Sequence, residues 1–180
     1  MKTLRKVPAL VIALSALAST SHAADIKVGA MGGFTGSLAE LSANVHKARE
    51  LALKQINAAG GLLKGDQLRF VTADSGCDAK TAVDAAGKLI NVERVVSVIG
   101  PTCSGETIAV AQNVTIPAGV MLITDSATSA GLTTLNDGDT VYRTAPANVD
   151  QAGALATIVK SHNITSIAMI VVNDCLLYTS

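Results

Sequence analysis

Two short segments of the chain carry serine and threonine residues directly after apolar runs: residues 100–105 (GPTCSG) and residues 125–129 (DSATS). Ser104 precedes a predicted helix, where free backbone N–H groups and the positive end of the helix dipole favour an anion such as a carboxylate. Thr128 adds a hydroxyl group, and the carbonyl of Ser126 can accept a hydrogen bond from an ammonium group. An anion site beside an ammonium site is what an α-amino acid requires, so these segments predict a non-covalent amino-acid site.

A third segment, residues 32–37 (GGFTGS), also carries glycine and hydroxyl residues directly after an apolar run. In the segment of residues 125–129, Ala127 lies between Ser126 and Thr128 and completes the candidate binding loop. Each hydroxyl group taken alone has a simpler interpretation as a helix cap or a turn residue. Three such segments at successive strand ends favour a shared site, because ligands of open parallel sheets bind beyond the carboxyl ends of the strands.

The elements that would position these segments follow from the hydrophobic pattern, which alternates between strand and helix. Strands are predicted at residues 26–31, 68–73, 95–99, 120–124, 141–144 and 167–172. Helices are predicted at residues 42–59, 79–92, 107–113 and 150–160, the first two capped by Ser42 and Asp78. This alternation predicts an α/β fold, a three-layer sandwich around a parallel sheet with right-handed crossovers.

Residues 1–23 predict a secretory signal peptide, with a basic start, an apolar run and small residues before Ala23. The apolar run is shorter than the ~20 residues that a membrane-spanning helix needs. The chain has 14 basic and 14 acidic residues, and removal of three basic ones leaves a mildly acidic product. We therefore expect an exported protein that does not span the membrane.

The segment RTAP at residues 143–146 separates the first strand–helix units from a new helix and strand. We interpret residues 24–145 as an N-terminal ligand-binding lobe and residues 146–174 as the start of a second lobe. Residues 175–180 (CLLYTS) depart from the preceding pattern and match the translation of a transposon-end sequencing adapter. We expect them to be a non-native tail and the natural chain to continue beyond Asp174.

The chain has three cysteines, an odd number for an exported protein. If Cys175 belongs to the non-native tail, Cys77 and Cys103 remain, and an oxidising compartment favours a disulfide bond between them.

Other chemistries are weakly supported. Balanced charge and four aromatic residues argue against nucleic acid, and the glycines of residues 29–36 do not fit the dinucleotide-binding fingerprint. Residues 136–139 (NDGD) lack the glutamate that a calcium loop requires, so we expect a turn there, no metal and no cofactor. A hydrolase that uses Ser104 stays open as an alternative, although we expect its only candidate bases, His46 and His162, to be solvated surface residues.

In their order and spacing, six sequence blocks resemble the branched-chain (aliphatic) amino-acid-binding proteins of ABC transporters, the type I periplasmic binding proteins. The resemblance covers residues 25–174, and the blocks that carry it read IKVGAMGGFTG, INAAGGLLKG, DSGCDAKTAVDAAGKLI, VVSVIGPTCSGET, DSATS and YRTAP. The resemblance implies two α/β lobes joined by a hinge, and a cleft between them in which Ser104, Thr128 and the carbonyl of Ser126 hold the ligand. It also implies a disulfide at the positions of Cys77 and Cys103.

The mechanism that the resemblance implies is capture by closure of the lobes and delivery to an inner-membrane ABC permease, without catalysis. A sensory receptor on the same fold is the alternative. Two departures leave the recognised side chain open: Leu41 or a close neighbour stands where relatives often have an aromatic residue, and Asp125 stands where they have proline.

Overall fold

The predicted alternation of strands and helices is present in the computed structural model, which describes residues 25–63 and 65–168. The strands are β1 (Asp25–Gly32), β2 (Gln67–Asp74), β3 (Ser97–Ile99), β4 (Met121–Thr124) and β5 (Val141–Arg143). The helices are α1 (Ala39–Ala58), α2 (Ala79–Asn91), α3 (Ser104–Val110), α4 (Ile116–Ala118) and α5 (Asn148–Ser161). A π-helical segment (Ala111–Thr115) joins α3 to α4, and a 3-10 turn (Ala130–Leu132) precedes β5.

The five strands form one parallel sheet in the order β2-β1-β3-β4-β5. Because all strands run the same way, the loops after β1, β3 and β4 leave from the same edge. The order reverses between β1 and β3, since the chain moves from β1 to β2 on one side and then to β3 on the other. This reversal is the position at which open α/β sheets bind ligands.

Helices cover both faces of the sheet, as the predicted sandwich requires. Val28 and Ile99 line a cavity with the apolar face of α1. On the opposite face, a Cβ placed on Gly29 would lie 2.9 Å from Cδ1 of Leu89 in α2, so this glycine lets the helix approach β1 closely. Successive strand residues point to opposite faces, and the two contacts therefore mark two separate layers of helix. The predicted α/β class is confirmed.

The core lies between the sheet and α2 and α3. Met31, Val98 and Leu122 are fully buried there. Ala82 and Ala86, spaced one helical turn apart on α2, are also fully buried, and their small side chains allow close packing on the strands. The core thus holds the carboxyl ends of β1 and β3 beneath the loops that follow them.

The prediction that Ser42 caps α1 is wrong, whereas the Asp78 cap of α2 is confirmed. Helix α1 begins at Ala39, and the Ser42 hydroxyl is buried in a hydrogen bond with Oγ1 of Thr102, at 2.9 Å. Asp78 accepts a hydrogen bond from the Thr81 N–H at 2.8 Å. A tertiary partner for the Ser42 hydroxyl has replaced the local backbone partner.

Other element boundaries also differ from the predictions. The helix predicted at residues 107–113 begins at Ser104, because Cys103 is its N-cap and Oε1 of Glu106 accepts from the Cys103 N–H at 2.8 Å. Strand β3 is shorter than predicted, and α5 begins two residues earlier. Of the strand predicted at residues 167–172, the first two residues have no regular structure and the rest lie outside the described residues.

Helix α5 leaves much of its apolar surface exposed. Val149, Leu155 and Ile158 each expose half or more of their surface.

The division between lobes at residues 145 and 146 stays a prediction, and the predicted signal peptide and tail lie outside the described residues. Among residues 25–63 and 65–168, no helix is both long and apolar enough to cross a bilayer.

Gly100 supports a stability prediction, because it follows β3 with φ +94° and a Cβ there would collide with the Met31 carbonyl. Gly119 also has a positive φ, +64°, but nothing lies within 4 Å of its Cβ position. We expect Gly100→Ala to lower the free energy of unfolding by about 3 kcal/mol, since overpacking adds to the backbone cost. Gly119→Ala should cost about 1 kcal/mol. Urea denaturation measures both, and equal losses would contradict the steric explanation.

Candidate functional site

The loops after β3 and β4 meet at the side chain of Ser104. Its Oγ accepts hydrogen bonds from the N–H groups of Thr128, at 3.1 Å, and Ser129, at 3.2 Å. Ser126 Oγ donates to the Thr102 carbonyl at 2.9 Å. The structure therefore brings together the two segments that carry the sequence-predicted site residues.

Ser104 is fully buried in this arrangement. Its oxygen accepts two N–H donors, so its hydroxyl hydrogen is what remains for a further partner, and that partner must be an acceptor. Ala127 is also fully buried, and its N–H donates to Thr124 Oγ1 at 3.2 Å. Thr124 Oγ1 in turn donates to the Pro101 carbonyl at 3.0 Å. These bonds fix the main chain of residues 124–129 against residues 101–104.

Thr128 and Ser126 are the partly exposed residues of the predicted site. The hydroxyl group of Thr128 has no hydrogen-bond partner among residues 25–63 and 65–168. Its carbonyl accepts a hydrogen bond from the Asn148 N–H at 2.9 Å. The loop after β4 is thus tied to the first residue of α5.

Two arginines hold this loop from either side, and sequence reasoning missed both. Nε and Nη2 of Arg49 donate to the carboxylate of Asp125 at 2.6 and 2.7 Å. Nη1 of Arg143 donates to the Ser129 carbonyl at 2.8 Å. The sequence signal that could have found Arg49 is its position four residues after Val45, on the apolar face of the predicted helix.

Asp74, at the end of β2, organises the glycine-rich loop after β1. It accepts hydrogen bonds from the Phe34 N–H at 2.8 Å, from Thr35 Oγ1 at 2.7 Å and from the Gly76 N–H at 3.0 Å. Burial alone would raise the pKa of Asp74, but these hydrogen bonds to its charged form outweigh burial and lower the pKa. The carboxylate acts here as an ordering group for the loop.

The predicted disulfide bond between Cys77 and Cys103 is present, with the two Cα atoms 5.5 Å apart. It connects the loop after β2 to the residue that caps α3. The carboxylate of Glu106 lies within 4.8 Å of both sulfur atoms. Metal binding by cysteine requires thiolates, and these sulfur atoms are bonded to each other, so the cluster in this state is structural.

Glu106 itself is buried at the start of α3. Burial raises its pKa above the usual 4.5, and the hydrogen bond from the Cys103 N–H opposes this rise only in part.

The histidines do not form a catalytic pair with Ser104 among the described residues. The prediction that His46 is solvated is wrong: its side chain is 17% exposed and its ring packs edge-on against Phe34, with centroids 5.2 Å apart. His162, just after α5, is exposed as expected. The hydrogen bonds of Ser104 Oγ go to the amides of Thr128 and Ser129, so neither His46 nor His162 is placed to accept its proton.

Comparison with known proteins places this geometry in a family. The chain belongs to the family described as the receptor family ligand binding region, whose model matches residues 44–179. It is similar to the Leu/Ile/Val-binding protein of Citrobacter freundii, with 37% identity over 145 residues that cover 81% of this chain and 38% of that protein.

Two solved structures show the same likeness. One is the branched-chain amino acid transporter substrate-binding protein of Streptococcus pneumoniae in complex with isoleucine, with 35% identity, a TM-score of 0.64, and coverage of 69% of this chain and 34% of the other. The second is an ABC transporter substrate-binding protein of Desulfitobacterium hafniense in complex with Leu, with 25% identity and a TM-score of 0.66. That match covers 77% of this chain and 39% of the other.

These findings confirm the resemblance to branched-chain amino-acid-binding proteins and the type I periplasmic-binding-protein fold. The chain spans about a third of the length of the curated relatives it matches, from 30% to 38% in the first two.

The disulfide bond yields a stability prediction. Cys77→Ser should lower the free energy of unfolding by about 3 kcal/mol, because the bond closes a loop with a sequence separation of 26. Urea denaturation under oxidising conditions measures this loss, and it should vanish in dithiothreitol, where the wild type is reduced too. Cys175→Ser is the control, since it leaves the Cys77–Cys103 bond intact. A Cys77→Ser variant as stable as the oxidised wild type would refute the prediction.

Glu106 yields a prediction about pH. Because the folded state raises its pKa, the folded state holds the proton more tightly than the unfolded state. The resulting stabilisation is complete below pH 4.5 and is lost as the pH rises through the folded pKa. Glu106→Gln keeps an acceptor oxygen for the Cys103 N–H and cannot ionise. Its free energy of unfolding relative to wild type should therefore increase with pH, and a difference that does not change with pH would argue against a buried, titrating Glu106.

Proposed function

We propose that this chain forms the first lobe of a solute-binding protein that captures a branched-chain or other aliphatic amino acid and delivers it to an ABC permease. The observation that carries the proposal is the junction of the two loops, in which Ser104 Oγ accepts from the amides of Thr128 and Ser129. The ligands printed for similar proteins support it: Leu/Ile/Val for the C. freundii protein and isoleucine for the S. pneumoniae protein.

The ligand's α-carboxylate would bind where Thr128 and Ser104 converge at the start of α3. The first N–H groups of a helix have no partner within the helix, and they attract an anion together with the helix dipole. The Thr128 hydroxyl is free to donate, and the Ser104 hydroxyl hydrogen suits an acceptor.

The ligand's ammonium group would bind the carbonyl of Ser126. The hydroxyl of Ser126 already donates to Thr102, so the main-chain oxygen is the acceptor that this residue offers. The neighbouring Ala127 carries no polar side chain and keeps the loop compact. Recognition of both charged ends by hydroxyl and main-chain groups selects an α-amino acid without any covalent step, so the proposed protein is not an enzyme and needs no cofactor.

Closure of two lobes on the ligand is the proposed mechanism, in which the ligand binds the closed state better than the open state and so shifts the equilibrium towards it. The hydrogen bond between the Thr128 carbonyl and the Asn148 N–H connects the binding loop to the helix that would begin the second lobe. The proposed location is the periplasm, reached with the signal peptide of residues 1–23.

A sensory receptor on the same fold is the second candidate, favoured by the family's description as a receptor ligand-binding region. Gene neighbourhood separates the two. Adjacent permease and ATPase genes support transport, whereas an adjacent kinase or regulator gene supports sensing.

The proposal predicts a specific loss of affinity in the complete two-lobed protein. Thr128→Val should weaken leucine binding about tenfold, because one hydrogen bond to a charged group is lost. Thr134→Val, on an exposed turn, is the matched control and should bind like wild type. Isothermal titration calorimetry measures both, and wild-type affinity in Thr128→Val would remove this residue from the site.

The 180-residue chain alone should have little or no measurable affinity for leucine. One wall of the cleft would be missing, so the ligand keeps only part of its contacts and stays solvated. The same calorimetric titration tests this, and micromolar binding by the 180-residue chain would show that one lobe suffices.

A further inference from the structure

We propose that the ion pair between Arg49 and Asp125 is the positioning element of the binding loop, residues 126–128. This inference rests on the proposed function, because the loop is taken to be the one that binds the amino acid. The two residues act through the loop and do not contact the ligand themselves.

The pair joins α1 to the end of β4 through two parallel hydrogen bonds. Nε of Arg49 lies 2.6 Å from Oδ2 of Asp125, and Nη2 lies 2.7 Å from Oδ1. The Arg49 side chain is 7% exposed and that of Asp125 is 25% exposed. A planar guanidinium that binds a carboxylate with two bonds fixes both the distance and the orientation of its partner.

Arg49 also lies close to the ends of β1 and β3, two other strands of the sheet. Nη1 donates to the Met31 carbonyl in β1 at 2.8 Å. A Cβ placed on Gly100, just after β3, would lie 3.3 Å from Nη2. One buried cation therefore bonds to the exits of β1 and β4 and lies beside the exit of β3, the three strands whose loops carry the predicted site segments.

Asp125 lies between the last residue of β4 and the binding loop. Its fixed side chain sets the direction in which residues 126–128 leave the sheet, and thereby where the Thr128 and Ser129 amides meet Ser104. Arg49 also neutralises the carboxylate of Asp125, which is next to Ser126 in the chain. The ligand's ammonium group would therefore interact with the Ser126 carbonyl dipole and not with an unpaired negative charge. The pair thus prepares the loop for the ligand before binding.

Removal of both charges separates positioning from stability. Removing one partner leaves an uncompensated buried charge, which destabilises the fold, whereas replacing both by uncharged residues is often close to neutral. Preorganisation, in contrast, is lost in both cases, and a loop that must be ordered on binding lowers the affinity. The informative variant is therefore Arg49→Met with Asp125→Asn.

The matched control is Lys80→Met with Asp84→Asn, which removes an exposed ion pair of 2.8 Å within α2. Both double variants are made in the complete protein. Hydrogen exchange is followed at the amides of Thr128 and Ser129 and at those of strand β3, and leucine binding is measured by calorimetry. Arg49→Lys, which keeps the charge and loses the planar fork, is the second variant and replaces the first if the first does not fold.

We expect the Thr128 and Ser129 amides of Arg49→Met/Asp125→Asn to exchange about tenfold faster and leucine affinity to fall about tenfold. Exchange in β3 should be unchanged, and the control should match wild type throughout. Three results would overturn the positioning role. The amides of Thr128 and Ser129 could exchange at the wild-type rate, they could exchange faster while leucine affinity is unchanged, or both Arg49 variants could unfold. Absence of leucine binding by wild type would instead overturn the proposed function, while the exchange rates still decide whether the pair positions the loop.

Discussion

The hydroxyl oxygen of Ser104 is the point on which the arrangement of the candidate site depends. It can accept two N–H groups only because α3 begins at that residue and because the loop after β4 turns back over it. Both conditions follow from the parallel sheet, which places the ends of β3 and β4 side by side. A buried oxygen with two donors is costly to displace, since each amide would lose its partner. This contact therefore explains how two separate loops present one surface.

Charged groups at this sheet edge support the loops in different ways. Arg49 and Asp125 neutralise each other beneath the binding loop, and Asp74 binds the amides and hydroxyl of the glycine-rich loop. Glu106 completes the helix cap at Cys103, but no cation among the described residues neutralises it. Burial accordingly raises the pKa of Glu106, whereas hydrogen bonds lower that of Asp74. The edge is ordered by paired or hydrogen-bonded charges.

Local patterns in the sequence predicted much of this architecture. Apolar periodicity predicted the strands of the sheet, and the position of Asp78 before an apolar helix predicted its role as a cap. The six sequence blocks indicated the family and the Cys77–Cys103 bond. The predictions failed where a distant partner decides the outcome. The sequence predicted Ser42 as a helix cap, but its hydroxyl bonds to Thr102, which is distant in the chain. It predicted His46 as solvated, but the ring of Phe34 packs against it. Arg49 could not be paired with Asp125 from sequence, because 76 residues separate them.

The exposed apolar surface of α5 and the anchored start of that helix belong to one physical arrangement. Ala147 and Asn148 are buried, and the Asn148 N–H bonds to the Thr128 carbonyl, so the helix is fixed to the binding loop at one end. Beyond that end, Leu155 and Ile158 have little to pack against among the described residues. Apolar side chains on an amphipathic helix gain stability only when another surface covers them. Any element that packs on α5 therefore acts on a helix whose first residue is hydrogen-bonded to Thr128, so the position of that element and the shape of the candidate site are coupled.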